Sequence, residues 1–504
     1  MQQGFDSERY LEQQTAAIAE RVERFGDKLY LEFGGKLMND FHASRVLPGY
    51  DPNVKVRLLQ KLSETAEVVL CIHAGDIERR KMRADFGITY DSDALRLIDD
   101  LRTRGVEVRA VVVTRFDNGQ QGAASFMKRL ERRGVSVYAH RATRGYPTDV
   151  ELIVSEQGYG ANPFIETTKR VVVVTGPGPG SGKLATCLSQ LYHERRRGCR
   201  AGYAKFETFP IWNLPLRHPL NVAYEAATAE LRDVNMVDPY HLEKTGVVAI
   251  NYNRDVEAFP LLRRIIERIT GEPSYYTSPT DMGVNRAGFG IVDDAVVQRS
   301  AVAEVIRRYY RYSCEYAMGL VEQETVQRVE VMMKDLEAGP ADRPVVAAAH
   351  RAAQRARERG KGNEGIYCGA AVELDDGTII AGENSPLMHA AASLVINAVK
   401  HLACLPPKMH LLPATVIASL GRFKKDVLRG QRVSLDLGEL LVTLSISAAA
   451  NPAAQVAVEA LPRLRGCEVH MTHMPTSGDA AGLRKLGVNL TSEPDFSTRN
   501  LYVS

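Results

Sequence analysis

The chain has 504 residues, 45% of them apolar and 25% charged, a balance ordinary for a folded globular protein of about three domains. Its 64 basic and 61 acidic side chains leave a net charge of +3, too close to neutrality for the strong positive field of a nucleic-acid-binding surface. No apolar run reaches the roughly 18–20 residues that cross a bilayer, and the opening MQQGFDSERYLEQQ has no apolar core of a secretion signal. The seven cysteines (Cys71, Cys187, Cys199, Cys314, Cys368, Cys404 and Cys467) are scattered and odd in number, with no C-x-x-C pair. That argues against a disulfide framework or a zinc knuckle and leads to the expectation of a cytoplasmic protein with reduced thiols.

In chain order, Asp6–Phe25 reads as an amphipathic helix. Strands are expected at Lys28–Phe33, Glu67–His73, Glu107–Thr114, Val135–His140, Glu151–Val154, Arg170–Thr175 and Ala201–Phe206. Helical patterns such as Asp93–Gly105 and Ala123–Gly134 lie between them, each ending in basic residues and a glycine. Short β-branched strands alternating with helices predict an α/β fold with a doubly wound, mostly parallel sheet, Rossmann-like or P-loop-like. Ligands of such sheets sit beyond the carboxyl ends of the strands, here near His73–Asp76, Thr114–Asn118 and Thr175–Lys183. From Ala301 to about Leu336 the pattern is helical, as one long helix or a pair. The basic segment His350–Gly365 lacks interleaved aromatics and reads as a solvated helix and linker. A second α/β unit begins near Tyr367, with two strands turning at Asp375–Gly377 and then a helix. The expected organisation is therefore an α/β phosphate-binding domain over 1–300, a helical connector over 301–345 and a smaller C-terminal α/β domain over 346–504.

The stretch GPGPGSGK (Gly176–Lys183) follows the run VVVVT and precedes a helix carrying Leu184, Leu188 and Leu191 on one face. A strand, a glycine turn and a helix in that order can converge backbone N–H groups on phosphate oxygens. The spacing departs from the G-x-x-x-x-G-K-[ST] of nucleoside triphosphatases, because position 177 is proline and Leu184 replaces the hydroxyl that holds magnesium. Pro177 and Pro179 have no N–H to give. The donors left are Gly178, Gly180, Ser181, Gly182, Lys183 and Leu184, enough for one or two phosphates. A phosphate site, a magnesium-nucleotide site and a structural turn all remain open, with ATP or another nucleotide as the candidate cofactor and magnesium weakly supported.

The peptides GPGPGSGKLATCLSQLYHE, AGYAKFETFPIWNLPLRHPLNVAYEAATAEL, SPTDMGVNRAGFGIVDD and GDAAGLRKLGVNLTSEPDF together resemble a bacterial family known as uncharacterised protein family 0371. The resemblance runs over nearly the whole chain and implies no settled activity. Some relatives have been called ATP-dependent peptidases, but neither a G-x-S-x-G elbow nor an H-E-x-x-H helix is present.

Other residues carry candidate chemistry. Lys205 and Glu207, two apart at a strand end, should share a face and reach the ligand crevice, the lysine for phosphate and the glutamate for proton transfer. Lys36, in the strand-Gly-Gly-Lys turn EFGGKL, is a second anion contact. Asp281, Asn285 and Arg286 form a polar glycine-rich loop suited to closing over a ligand, with Asp281 a catalytic candidate and Arg286 a phosphate contact. Asp76, Glu78, Arg79, Arg80, Lys81 and Arg83 cluster just after a strand and could hold a phosphorylated substrate, and Asp238 with His241 could form an acid–base pair. The hairpin followed by MHAAASLV is similar to the start of the nucleoside-deaminase fold. However, Ala391 stands where that fold has a glutamate two residues after the zinc histidine, here His389, and Cys404 leads into Leu-Pro-Pro rather than a paired cysteine. His470 and His473, three apart on a strand, should face opposite ways, so no metal site is expected. These readings favour an enzyme acting on a small phosphorylated ligand, with a non-catalytic sensor or an assembly protein as alternatives and self-association through an apolar-faced helix as a partner expectation.

Overall fold

The structure is a computed structural model and describes residues 3–83, 87–363, 365–429 and 433–498. Residues 84–86 of the charged turn after His73 and Glu364 of the basic segment lie outside the described residues. The chain divides into two compact units, residues 2–301 and 302–504. No helix among the described residues is long and apolar enough to cross a membrane.

The first unit opens with α1 (Ser7–Phe25), whose first turn is capped by Asp6 accepting from the Glu8 and Arg9 amides and whose end is turned by Gly26 at φ 78°. Its sheet has six strands: β1 (Lys28–Phe33), β2 (Ala66–His73), β3 (Val108–Thr114), β4 (Val137–Ala139), β5 (Val171–Thr175) and β6 (Ala201–Phe206). Helices α2 (Tyr90–Thr103), α3 (Gln121–Glu131) and α4 (Lys183–Arg196) connect several of them. All neighbours are parallel, in the order β4-β3-β2-β5-β1-β6. The central β5, VVVVT, is buried along its whole length, as strands covered on both faces must be. From β2 the chain moves outward to β3, whereas from β5 it crosses to β6 at the other edge. The carboxyl ends of β2 and β5 therefore flank a switch point, where open α/β sheets place their ligands.

The expected strand at Glu151–Val154 is instead a single helical turn, Val150–Ile153, because Asp149 accepts from the Leu152 amide and caps it. Three apolar residues are too few for periodicity to separate strand from helix. After β6 a two-stranded antiparallel ribbon, β7 (Asn235–Val237) and β8 (Ile250–Tyr252), leads into α5 (Asn253–Thr270). The long helix α6 (Asp294–Ala317) contains the division between the units. It is followed by α7 (Gln323–Asp335), so the helical stretch near 301–336 is a pair.

The second unit adds α8 (Pro344–Glu358) and a four-stranded sheet: β9 (Gly369–Glu373), β10 (Ile379–Glu383), β11 (Glu468–Met471) and β12 (Asn489–Ser492), with α9 (Ala390–Leu402) after β10. The order is β10-β9-β11-β12, antiparallel except for β11 with β12. Gly377 at φ 82° makes the expected turn between β9 and β10. Ala371 of β9 packs with Val345, Ala348 and Ala349 of α8. Its neighbours Ala370 and Val372 join the larger core with Leu394, Val395 and Ala398 of α9, as strand alternation requires. Gly369 permits the close approach of α8: a Cβ there would lie 2.0 Å from the Ala349 carbonyl oxygen.

Candidate functional site

The carboxyl edge of the first unit's sheet collects most of the residues that the sequence singles out. After β5 the glycine loop runs from Gly176 to Gly182 and delivers Lys183 as the first residue of the 14-residue helix α4. Gly180 and Gly182 take φ of 72° and 88°, the left-handed region that favours glycine. A Cβ at Gly178 would meet the Tyr90 hydroxyl at 2.5 Å, and one at Gly182 would meet Thr114 Oγ1 at 2.7 Å. Thr114, at the end of β3, donates from Oγ1 to the Ser181 carbonyl at 2.8 Å, which ties the loop across the end of β2. Among the described residues, the backbone N–H groups of Gly178, Gly180, Ser181, Gly182 and Lys183 have no protein acceptor. Five unpaired amides at the positive end of a helix form a concavity suited to an anion. Lys183 Nζ lies 3.4 Å from Ser181 Oγ. Thr186 does not replace the missing magnesium hydroxyl, because it is buried and accepts from Cys71 Sγ at 3.4 Å.

Cations surround this loop. Lys36 shares a cleft with Gly176, Pro177, Arg83, Asp93 and Arg96. Both arginines pair with the buried Asp93, Arg96 at 2.8 Å. Burial alone would raise the Asp40 carboxyl, but Lys55 at 3.3 Å, with Lys36 and His42, holds it below its ordinary value. At the end of β2, burial pushes the His73 imidazole down; Asp76 opposes that, and Arg115, Arg79 and Lys81 reinforce it. Arg79 pairs with Asp76 at 2.5 Å.

A second cluster stands at the ends of β1 and β6. In-register pairing sets Glu32 beside Lys205. Lys205 Nζ donates to Tyr252 Oη and Asp255 Oδ2 and lies 3.2 Å from Glu207 Oε1. Tyr252 Oη in turn donates to Glu207 Oε2 at 2.9 Å. Glu32 Oε2 accepts from Tyr203 Oη at 2.6 Å. Burial disfavours the charged lysine, but Asp255, Glu207 and Glu32 outweigh it and raise its pKa above the ordinary value. Burial likewise raises the Glu207 carboxyl; Asp255 and Glu32 add to the effect, against the pull of Lys205 and Tyr252. A carboxyl that holds its proton more tightly than usual, hydrogen-bonded to a phenol and beside an ammonium, is equipped for proton transfer. The side chain reaches this position across Gly34, where a Cβ would lie 2.3 Å from Glu207 Cγ. One strand, β1, separates β5 from β6, so the two clusters are about 10 Å apart at the usual strand spacing.

The structure thus brings Gly178, Gly180, Ser181, Gly182, Lys183 and Lys36 to one edge, with Lys205 and Glu207 beside them. Asp281 and Arg286 have other contacts. The Asp281 side chain lies 3.7 Å from Arg21 and accepts from the Thr277 amide, while the Arg286 amide donates to Gln14 Oε1 and its guanidinium lies over Phe289. Asn285 Nδ2 donates to the Thr208 and Pro210 carbonyls, so this loop is bolted down rather than free to close. Asp238 accepts from the Tyr240 and His241 amides and from Thr280; it is a helix cap and not the partner of His241. Sequence reasoning missed Glu32, Tyr252 and Asp255. The only signal for the last two was the polar run NYNRD at the start of a helix.

In the second unit, His389 Nδ1 lies 2.7 Å from Asp479 Oδ2, and Asp479 also accepts from the Leu437 amide and Thr476 Oγ1. His389 lines a cavity with Cys368, Asn384, Ser385 and His473.

Comparison with known proteins agrees with the long-peptide resemblance. The N-terminal model of domain of unknown function DUF1846 matches residues 3–337 and its C-terminal model matches 341–502. A UPF0371 protein of Clostridium botulinum (strain Alaska E43 / Type E3) is 55% identical over 502 residues, covering 100% of this chain and 99% of the relative. Another, from the Langeland strain, is 54% identical with the same coverage. Matches of that length and identity place the chain in uncharacterised protein family 0371, built from the two DUF1846 domains.

Proposed function

We propose that the first unit is an enzyme module with a P-loop-like phosphate site, which holds the phosphate of a nucleotide or phosphorylated metabolite at Gly178–Lys183 and moves a proton on it through Glu207. The observation that carries this reading is the set of five loop amides without a protein acceptor, at the N-terminus of a long helix headed by Lys183. In this reading Lys183 and the amides neutralise phosphate charge. Lys36 lies on the path toward β6, and Glu207 gives or takes a proton with Tyr252 and Lys205 fixing its orientation. Leu184 and the engaged Thr186 favour a phosphate held without magnesium.

The test is thermal unfolding of the full chain and of Lys183→Ala with ATP, GTP, sugar phosphates or inorganic phosphate, each with and without magnesium. Ligand at about 100 times its Kd adds about 2.7 kcal/mol. For a unit of this size that is a rise of about 4 °C. The expected result is a magnesium-independent rise with at least one phosphate compound, lost in Lys183→Ala, and turnover of that compound abolished in Glu207→Gln while binding persists. No rise with any phosphate compound in folded protein would make the glycine loop a structural turn.

A further inference from the structure

The second unit holds a cluster of ligand-type side chains far apart in sequence. Register places His470 of β11 beside Ala371 of β9 and Thr491 of β12. Residues paired across strands share a face, and Ala371 faces α8, so His470 faces α8 as well. His350, on that helix, has its ring 6.4 Å from the His470 ring. Glu493 follows β12, and its Oε1 lies 3.1 Å from His350 Nε2 and 3.4 Å from His470 Nε2. The three ligand atoms all lie within 4.8 Å of one another.

The hydrogen bonds of His470 decide what the cluster can hold. When the Thr491 hydroxyl donates to the Val469 carbonyl, 3.2 Å away, its oxygen accepts from His470 Nδ1–H at 2.9 Å, and Nε2 carries the lone pair. His470 is fully buried, and its Nε2 has no hydrogen-bond partner among the described residues. In that tautomer a cation between Nε2 and the Glu493 carboxylate oxygen, 3.4 Å apart, satisfies both. Arg343 is not that cation: it is committed to Glu468 at 2.7 Å and to the Val469 carbonyl.

We propose that His350 Nε2, His470 Nε2 and a Glu493 carboxylate oxygen bind one zinc-type divalent ion, with a fourth position open to solvent. Two imidazoles and a carboxylate form a donor set for zinc rather than for magnesium or calcium. Bonds of 2.0–2.2 Å in a tetrahedron separate the ligand atoms by about 3.3 Å, close to the 3.1 and 3.4 Å found. Thr491 supplies the hydrogen bond that orients a ligating histidine from its other nitrogen. The His350 side chain is 56% exposed, which leaves the open position accessible to water or a substrate atom. His473 takes no part; its Nδ1 lies 3.0 Å from Thr472 Oγ1. The site lies within the second unit and does not depend on the glycine-loop reading.

The experiment uses the full chain, freed of any affinity tag and stripped with chelator. ZnCl2 is titrated by calorimetry and CoCl2 by visible absorption. One zinc ion per chain is expected, with cobalt giving the intense visible bands of a four-coordinate ion without thiolate charge transfer. His350→Ala, at an exposed helical position that keeps the fold, and Glu493→Gln should each weaken zinc by about 100-fold or more. Thr491→Val should weaken it by about 10-fold. Absence of binding by wild type, affinity unchanged in both ligand variants, or thiolate absorption with cobalt would overturn the assignment.

Discussion

Lys205 sits among three carboxylates, and replacing it tests whether that cluster is held together by charge. In Lys205→Met the hydrocarbon stem is kept and the ammonium is lost. Asp255 and Glu207 lose their shared cation at side-chain exposures of only 18% and 22%, and Glu32 remains close by. Removing one partner from a buried ion pair costs about 3–5 kcal/mol. With an unfolding entropy of about 0.6 kcal/mol/K for roughly 300 residues, the first unit should melt about 5–8 °C lower. The deficit has a direction in pH. Unpaired buried carboxyls have folded pKa values above their unfolded ones, so the variant is penalised most where they must ionise. The loss should be full at pH 7.5 and shrink as pH falls toward 4.5. Calorimetric melts of wild type and variant at both pH values measure it. An equal deficit at pH 7.5 and 4.5 would refute the electrostatic account and leave only packing.

Two further outcomes are expected. Burial pushes the His140 imidazole down to about 4, partly offset by its contact with the Pro163 carbonyl. The unfolded chain therefore binds the extra proton first, and the first unit should lose about 3 kcal/mol as pH falls from 6.5 to 4; urea melts of His140→Gln with an unchanged pH slope would contradict this. Burial also raises the thiols of Cys71 and Cys368 to about 12 and those of Cys314 and Cys467 to about 11, while Cys404 is exposed. Ellman's reagent at pH 8 should show one fast thiol on the native chain, absent in Cys404→Ser.

Six strands of the first unit were legible because each is a short, largely apolar run between turn residues, valine-rich in β2, β3 and β5, so burial on both faces leaves a plain mark in the chain. Glu151–Val154 carried the same mark without the tertiary context, and the Asp149 cap decided it. The glycine loop, Lys36, Lys205 and Glu207 were legible together because a parallel sheet sends every strand's end to one edge. Tyr252 and Asp255 were not, since they reach Lys205 from a ribbon and helix some 47–50 residues on. Asp281 and Arg286 had the right chemistry for a closing loop, but Arg21 and Gln14 of α1 engage that loop. His350, His470 and Glu493 carry no spacing signal, because helix–sheet packing and strand register alone bring them together.

The passage of Glu207 over Gly34 has a consequence for how the family can vary. Any side chain at 34 would occupy the space that the Glu207 side chain fills, so residue 34 cannot enlarge while the long acid stays. Relatives that enlarge residue 34 must shorten residue 207, and those that keep the long acid must keep the glycine. The turn after β1 and the end of β6, some 170 residues apart, should therefore be inherited as a matched pair.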